Sequence, residues 1–333
     1  MLPTHQVWLA IDARQVGGIE IHITHLARDL LARGLNTTIV LVADHGMTPF
    51  VTLLRQQGLP YRVCRNSRDF VRVLAGQPGF VLLHTHGYKA GILGRLTAWC
   101  SGKPVVSTFH SGDDGEGLLK FYSWLDRFTA RFAKCIAVSE PIARRLPVPS
   151  TVISNFVPMP AAPVAVAGNR IAFVGRLSAE KGPQAFCQLA AFCPEGSFHL
   201  YGEGPLMGEL SMQYGDRVEF HGFRRMADEW QHIDLLCITS RFEGLPLVAL
   251  EAMAHGIPVC AFAVGGLVSL IDHKSNGWLV EPGQVQDMAA IVNYWLSRDE
   301  QARGAMSLAA RQTIARGYSV NHRVSDILAV YGG

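Results

Sequence analysis

No two of the seven cysteines form a C-x-x-C pair or stand at a metal-ligand spacing. That excludes the disulfide framework of a secreted scaffold and suits a reducing compartment. No uninterrupted apolar run is long enough to span a bilayer, and the opening MLPTHQVWLAIDARQ has no basic stretch ahead of an apolar one. The expectation is a cytoplasmic chain, neither exported nor membrane-spanning. The full G-x-G-x-x-G of dinucleotide binders is missing too. Gly17 and Gly18 follow the first apolar run, but about 20 positions on, where an acidic residue would read a cofactor ribose, stand Asn36 and Thr37. This counts against a nicotinamide dehydrogenase.

What is present is a large apolar fraction, 49% of 333 residues, enough for two domains. Short runs rich in Val, Ile, Leu and Phe recur: VWLAI from Val7, TTIVLVA from Thr37, FVLLH from Phe80, PVVSTF from Pro104 and KCIAVS from Lys134. They read as buried parallel strands. Helix-period segments separate them, the clearest from Ile19 to Leu31, with Ile19, Ile23, Leu26, Ala27, Leu30 and Leu31 on one face and Gly34 as its stop. The alternation pauses at VPMPAAPVAVAGN, residues 157 to 169, a linker by composition, and resumes with IAFVG, FHLYG, VEFHG, DLLCIT, IPVCAF and GWLV. Two doubly wound α/β domains follow, residues 1–157 and 158–333, with the site expected in a cleft between them, beyond the strands' carboxyl ends.

In FVGRLSAEKG, residues 173 to 182, Gly175 ends a strand and is followed by Arg176 and Lys181. A guanidinium fork and an ammonium at a strand end suit a diphosphate, although alone they read equally as solvated loop charges. SRFEGLPLVALEAMAHGIPV, residues 240 to 259, runs from a strand end into a helix with Pro246 at its first position and the weak capper Leu245 before it. Its first amides are therefore on offer to an anion. Glu243 precedes that helix end, and Glu251 lies five residues after Pro246, about 7 to 8 Å along the axis. The pair can hold the sugar and ribose ends of a sugar nucleotide; the alternative is a helix-dipole partner and a solvated helix residue. Gly17 and Gly18 in GGIE let backbone approach a ligand, a weak signal by itself.

The ordered set GGIE, STFHS (Ser107 to Ser111), IAVSEPIARRL, FVGRLSAEKG, YGEGPL (Tyr201 to Leu206) and the E-x7-E block resembles retaining glycosyltransferase family 4 over nearly the whole chain. The resemblance implies the GT-B architecture of two facing Rossmann-like domains, the first for the acceptor, the second for the nucleotide sugar, with the last helix packing back toward the first. It implies Arg176 and Lys181 on the donor diphosphate, Glu251 on the ribose, and Glu243 with the backbone of Gly244, Leu245 and Leu247 on the donor sugar. His110 matches the histidine facing that sugar, though a lone histidine after a strand also reads as a packed residue. Gly17, Gly18, Gly175, Gly204 and Phe223 would border the donor, and His84, His86 and Glu20 the acceptor side. The i, i+2 spacing of His84 and His86 also suits a metal pair, for which sequence offers no third ligand.

The implied reaction moves a hexose from a nucleoside-diphosphate sugar, UDP favoured over GDP, to a hydroxyl of a glycan or lipid-linked acceptor. Configuration is retained, without a bound metal or other cofactor, and the setting is bacterial cell-surface polysaccharide or glycolipid synthesis. No D-x-D is present, only the loose Asp114-x-Glu116. Alternatives are a sugar-nucleotide epimerase on the same fold and a non-catalytic sugar-nucleotide binder. The chain departs from the family pattern at Phe156, where glycine usually follows the asparagine, and in its short N-terminal domain; both bear on the acceptor.

Up to residue 160 the chain carries 17 Lys and Arg against 10 Asp and Glu, and afterwards 13 against 17, so the halves are about +7 and −4. On a helical wheel of Leu118 to Lys134, Leu118, Phe121, Leu125, Phe128 and Phe132 share a face expected to pack inward. Lys120, Arg127, Arg131 and Lys134 lie opposite, beside Trp124. That basic stripe is either a solvated side or a contact for an anionic membrane surface at the inner face of the membrane. No nucleic-acid partner is expected.

Overall fold

The computed structural model describes residues 6–77, 81–110 and 117–332. Phe80, Ser111 and the Asp114-x-Glu116 pair lie outside them, as does the side chain of Leu118. The chain forms two compact units, one running to Phe156 and taking in the segment from Val320 onward, the other Val157–Ser319.

The first unit holds seven parallel strands: β1 Gln6–Ile11, β2 Thr37–Leu41, β3 Tyr61–Val63, β4 Val81–His86, β5 Val105–Phe109, β6 Lys134–Ala137 and β7 Ser150–Val152. Their order is β3-β2-β1-β4-β5-β6-β7. Alternate side chains of β1 serve two cores, as the two-residue period of a strand requires. Leu9 and Ile11 face Ile23, Leu26 and Leu30 of the Gly18–Ala32 helix, while Trp8 and Ala10 face Phe70, Leu74, Ala90 and Ala98. The Gly18–Ala32 helix ends in a Schellman motif: the N–H of Leu35 reaches the Leu30 carbonyl at 3.0 Å and that of Gly34 the Leu31 carbonyl at 2.9 Å. Gly34 takes φ 81°, a left-handed geometry that glycine adopts without strain. The final helix, Val320–Gly332, packs Val324, Ile327 and Tyr331 into this same core.

The second unit holds six: β8 Arg170–Val174, β9 Ser197–Tyr201, β10 Val218–Gly222, β11 Leu235–Ile238, β12 Val259–Phe262 and β13 Gly277–Val280, ordered β10-β9-β8-β11-β12-β13. The proline-rich stretch before β8 has no regular structure beyond one bridge, Val157 to Ser319. It is nonetheless held down: Arg311 donates to the Pro160 carbonyl and the N–H of Val164 to that of His255. In each sheet the order reverses at one place, between β1 and β4 and between β8 and β11. There the flanking loops leave in opposite directions and open a crevice at the strands' carboxyl ends.

Candidate active site

In the second unit the loops after β8, β9, β11 and β12 meet around that reversal. The loop after β8 carries Gly175, Arg176 and Lys181 and is fixed from two sides. On one, Gly175 donates to the Tyr201 carbonyl at 2.9 Å and Leu177 to that of Glu203 at 2.9 Å. A Cβ on Gly202 would come within 1.9 Å of the Gly175 carbonyl oxygen, and one on Gly204 within 2.5 Å of that of Leu177. On the other side, Thr239 at the end of β11 donates its hydroxyl to the Gly182 carbonyl at 2.8 Å, and the N–H of Arg241 reaches the Glu180 carbonyl at 2.8 Å.

This stitching brings Lys181 to Glu243: Nζ lies 2.8 Å from Oε1, which also accepts the Ser240 hydroxyl at 2.6 Å. The two residues expected on diphosphate and sugar respectively are therefore an ion pair, with the Glu243 side chain nearly buried. Arg176 stands exposed at the same loop end, with no ion pair among the described residues.

The helix beyond Glu243 spans Leu247–Ala254. Pro246 is its N-cap, with ψ 127°, and not its first residue; the ring presets φ for either position, and the extended ψ delays the helix by one residue. Among the described residues no side chain caps it. Leu245 and Leu247 are buried while Gly244 is exposed, so the apolar pair anchors the turn and leaves backbone at the surface. Glu251, the fifth helical residue, keeps some solvent access, and its carboxylate has no hydrogen-bond partner among the described residues. Burial pushes its carboxyl up to about 7.

Sequence reasoning missed Gly265 and Gly266, after β12. Gly265 has φ 53°, and a Cβ there would lie 1.7 Å from the Glu243 carbonyl oxygen; the N–H of Gly266 donates to the Gly244 carbonyl at 2.5 Å. The signal was present, since Gly-Gly between a strand and a helix is also the pattern of Gly17–Gly18. Phe223 follows β10, strongly exposed, next to the Gly222 carbonyl that accepts the N–H of Gly202 at 2.8 Å.

In the first unit the predicted histidines lie together, but each predicted residue has its own hydrogen-bond partners. Gly17 is the N-cap of the Gly18–Ala32 helix, and the carboxylate of Glu20 turns back to accept its N–H at 3.0 Å, which commits Glu20 to its own helix end. His84 is fully buried with both nitrogens used: Nδ1 meets the Tyr331 hydroxyl at 2.7 Å and Nε2 that of Thr108 at 2.7 Å. It ties the last helix to the sheet, and its ring stands 4.3 Å from that of His86 on the same face of β4. His86 Nδ1 instead lies 3.0 Å from His110 Nε2, and the ring of His22 stands 4.9 Å from that of His110. The third nitrogen that sequence could not supply is thus His22, from the helix, with His86 and His110; one ligand atom of each lies within 4.8 Å of the others. Burial holds His110 down at about 4 and His22 and His86 well below the usual imidazole range, so the cluster is uncharged near neutrality. Asp12, after β1, is shared by His45 at 2.9 Å and Lys89 at 3.0 Å, a triad that spacing alone did not disclose.

Two family models match the chain: Glycosyltransferase Family 4 over residues 16–159 and Glycosyl transferases group 1 over residues 168–298. Between them they take in most of its length. The UDP-Gal:alpha-D-GlcNAc-diphosphoundecaprenol alpha-1,3-galactosyltransferase of Escherichia coli is 28% identical, over 99% of this chain and 90% of that protein. The D-inositol 3-phosphate glycosyltransferase of Jonesia denitrificans is 26% identical, over 95% of this chain and 91% of that protein. Among solved structures, Anabaena HepE in complex with UDP and glucose superposes with a TM-score of 0.84 at 22% identity, covering 98% of this chain and 99% of that one. With two sheets of the reversing order and both family models matched in sequence, the chain belongs to glycosyltransferase family 4 and is a glycosyltransferase of the GT-B fold.

Proposed function

We propose that this enzyme transfers a hexose from a UDP-sugar to a hydroxyl of a lipid-linked or glycan acceptor, with retention of configuration, in cell-surface polysaccharide or glycolipid synthesis. The observation that carries the donor half is the meeting, at the reversal point of the second sheet, of Arg176, the Lys181–Glu243 pair and an uncapped helix N-terminus followed by the unpartnered carboxylate of Glu251. In this reading Arg176 and Lys181 take the diphosphate, with backbone N–H groups from Gly244 onward. Glu251 accepts from the ribose hydroxyls, and Glu243, released by Lys181 or sharing it, orients the sugar. Gly175, Gly204 and Phe223 border the nucleotide. UDP is supported by the E. coli relative's name and by the ligand of HepE, and a diphosphate-lipid acceptor by the former.

Fixed cations and the helix end would stabilise the charge that develops on the departing UDP, and the leaving phosphate oxygen can take the proton of the attacking hydroxyl. His110, neutral and braced by His86, is the side chain of the first unit that the family pattern assigns to the donor sugar. We assign His86 and His22 to holding that ring, and the exposed backbone of Gly17 and Gly18 to the substrate side.

Calorimetric titration with UDP-glucose and UDP-galactose, followed by product analysis with and without undecaprenyl-diphosphate sugars, tests the proposal. Binding of a UDP-sugar, weakened roughly tenfold to a hundredfold in Glu251→Gln and Arg176→Ala, is expected, since each removes one charged hydrogen bond. UDP release should require acceptor. Formation of an epimeric UDP-sugar without acceptor would replace this reading by an epimerase, and unchanged affinity in Glu251→Gln would remove the ribose assignment.

A further inference from the structure

The helix Leu118–Thr129 is rotated away from its expected packing: Phe121 and Phe128, expected inward, face water, while Leu125 and Phe132 are half-buried and Trp124, Lys120 and Arg131 are exposed as expected. Facing the protein are Ser123, Asp126 and Thr129, all buried; facing water are Phe121 at 54% exposure, Trp124 at 53% and Phe128 at 42%. A polar network sets this rotation. Arg95, buried on the neighbouring Tyr88–Cys100 helix, pairs with the Asp126 carboxylate and donates to the Thr129 hydroxyl at 2.9 Å and the Ser107 hydroxyl at 3.0 Å. Gly91 permits the close approach, since a Cβ there would stand 2.7 Å from Asp126 Oδ1. Removing Asp126 would strand a buried guanidinium, so the helix cannot roll to hide its rings cheaply.

The outward rings are ordered into a row. Phe121 and Trp124 stack with centroids 6.0 Å apart, Trp124 and Phe128 at 5.4 Å, and Arg131 lies 4.0 Å over Phe128. One turn on, Phe132 meets Trp99, which is 62% exposed. Lys120 and Arg131 are exposed beside the row, and Arg127 is half-buried. Lys134 proves to be the first residue of β6 and reaches the Val330 carbonyl at 3.2 Å, so it borders the patch from the sheet and not from the helix. The only acid between Leu118 and Lys134 is Asp126, and it is turned inward.

We infer that this aromatic row, with its cations, is a docking face for an anionic phospholipid bilayer, the rings entering the interface and Lys120, Arg127 and Arg131 meeting the headgroups. Tryptophan and phenylalanine with Lys and Arg and no outward acid is the chemistry of such an interface. A second copy of this chain is the weaker occupant, because a symmetric contact through the face would set cations against cations. The inference stands independently of the donor assignment.

The test is co-sedimentation of the full chain, without donor, with vesicles of phosphatidylcholine alone or mixed with phosphatidylglycerol. Pelleting with the anionic vesicles only is expected, weakened by salt. Lys120→Ser with Arg131→Ser should lower partition roughly fivefold per cation. The triple variant Phe121→Ser, Trp124→Ser, Phe128→Ser should abolish pelleting while keeping its far-UV melting curve and binding of UDP-glucose. Should the triple variant misfold, quenching of tryptophan fluorescence by brominated lipid, lost on conservative replacement of Trp99 and Trp124 by Phe, probes the same contact in a folded protein. The inference is overturned if wild type stays in the supernatant, if the folded triple variant pellets like wild type, or if sedimentation velocity without lipid shows a dimer that the triple variant dissolves.

Discussion

Glu251 illustrates how a single environment sets a working range. Its carboxyl, ordinarily ionised well below neutrality, is held at about 7 by burial with no cation paired to it. In the role proposed for Glu251, a ribose hydroxyl donates better to the carboxylate than to the acid, so donor binding should draw a proton off this group. Affinity for UDP-glucose is therefore expected to rise as pH increases from 6 to 8, by at most roughly tenfold per unit below the carboxyl's value and levelling above it. Calorimetry across that range checks this, and Glu251→Gln should flatten the profile. A sugar nucleotide is the right probe because UDP has a terminal phosphate that titrates nearby. His110 contributes nothing to that profile, being neutral down to about 4. The identity of these two residues was legible in sequence, but their ionisation was not, because burial depends on neighbours from other parts of the chain.

At the scale of elements, turns hold the candidate donor site more than helices or strands do. Four strand ends are fastened to one another by backbone contacts that only glycine allows: Gly202 on Gly175, Gly204 on Leu177, Gly182 on Thr239 and Gly265 on Glu243. An alanine at Gly265 needs both a left-handed φ and the displacement of the Glu243 carbonyl. Gly265→Ala should cost about 1–3 kcal/mol of stability in chemical denaturation. It should weaken UDP-glucose binding further than Gly34→Ala, which meets no atom within 4 Å and carries only the conformational cost of about 1 kcal/mol. Equal donor affinity in the two variants would show that the turn does not hold Glu243 in place. The same scale explains the rotation of the Leu118–Thr129 helix, which turns Phe121 and Phe128 outward. Its hydrophobic period is plain in the sequence, but the usual preference for apolar burial names the wrong inward side, because Arg95 on another helix decides the rotation.

For the whole molecule, the chain does not fold as two consecutive blocks. Its last helix gives Val324, Ile327 and Tyr331 to the first unit's core, and Tyr331 also engages His84. Losing three such buried side chains forfeits about 1.5–3 kcal/mol each, comparable to a typical domain's entire stability. Truncation after Ser319 should therefore unfold the first unit at far lower temperature in calorimetry, while the second still binds UDP-glucose. A single unshifted transition would contradict this. The sequence by itself determined the alternation of strands and crossover helices, the pause near residue 157, the family and the E-x7-E block, because these rest on local periods and fixed spacings. Only the tertiary structure decided that His22 joins His86 and His110, that Lys181 pairs with Glu243, that Asp12 serves two cations, and that an aromatic row faces outward. Each of those joins residues far apart along the chain, and such pairings follow from strand order and packing, which no local period encodes.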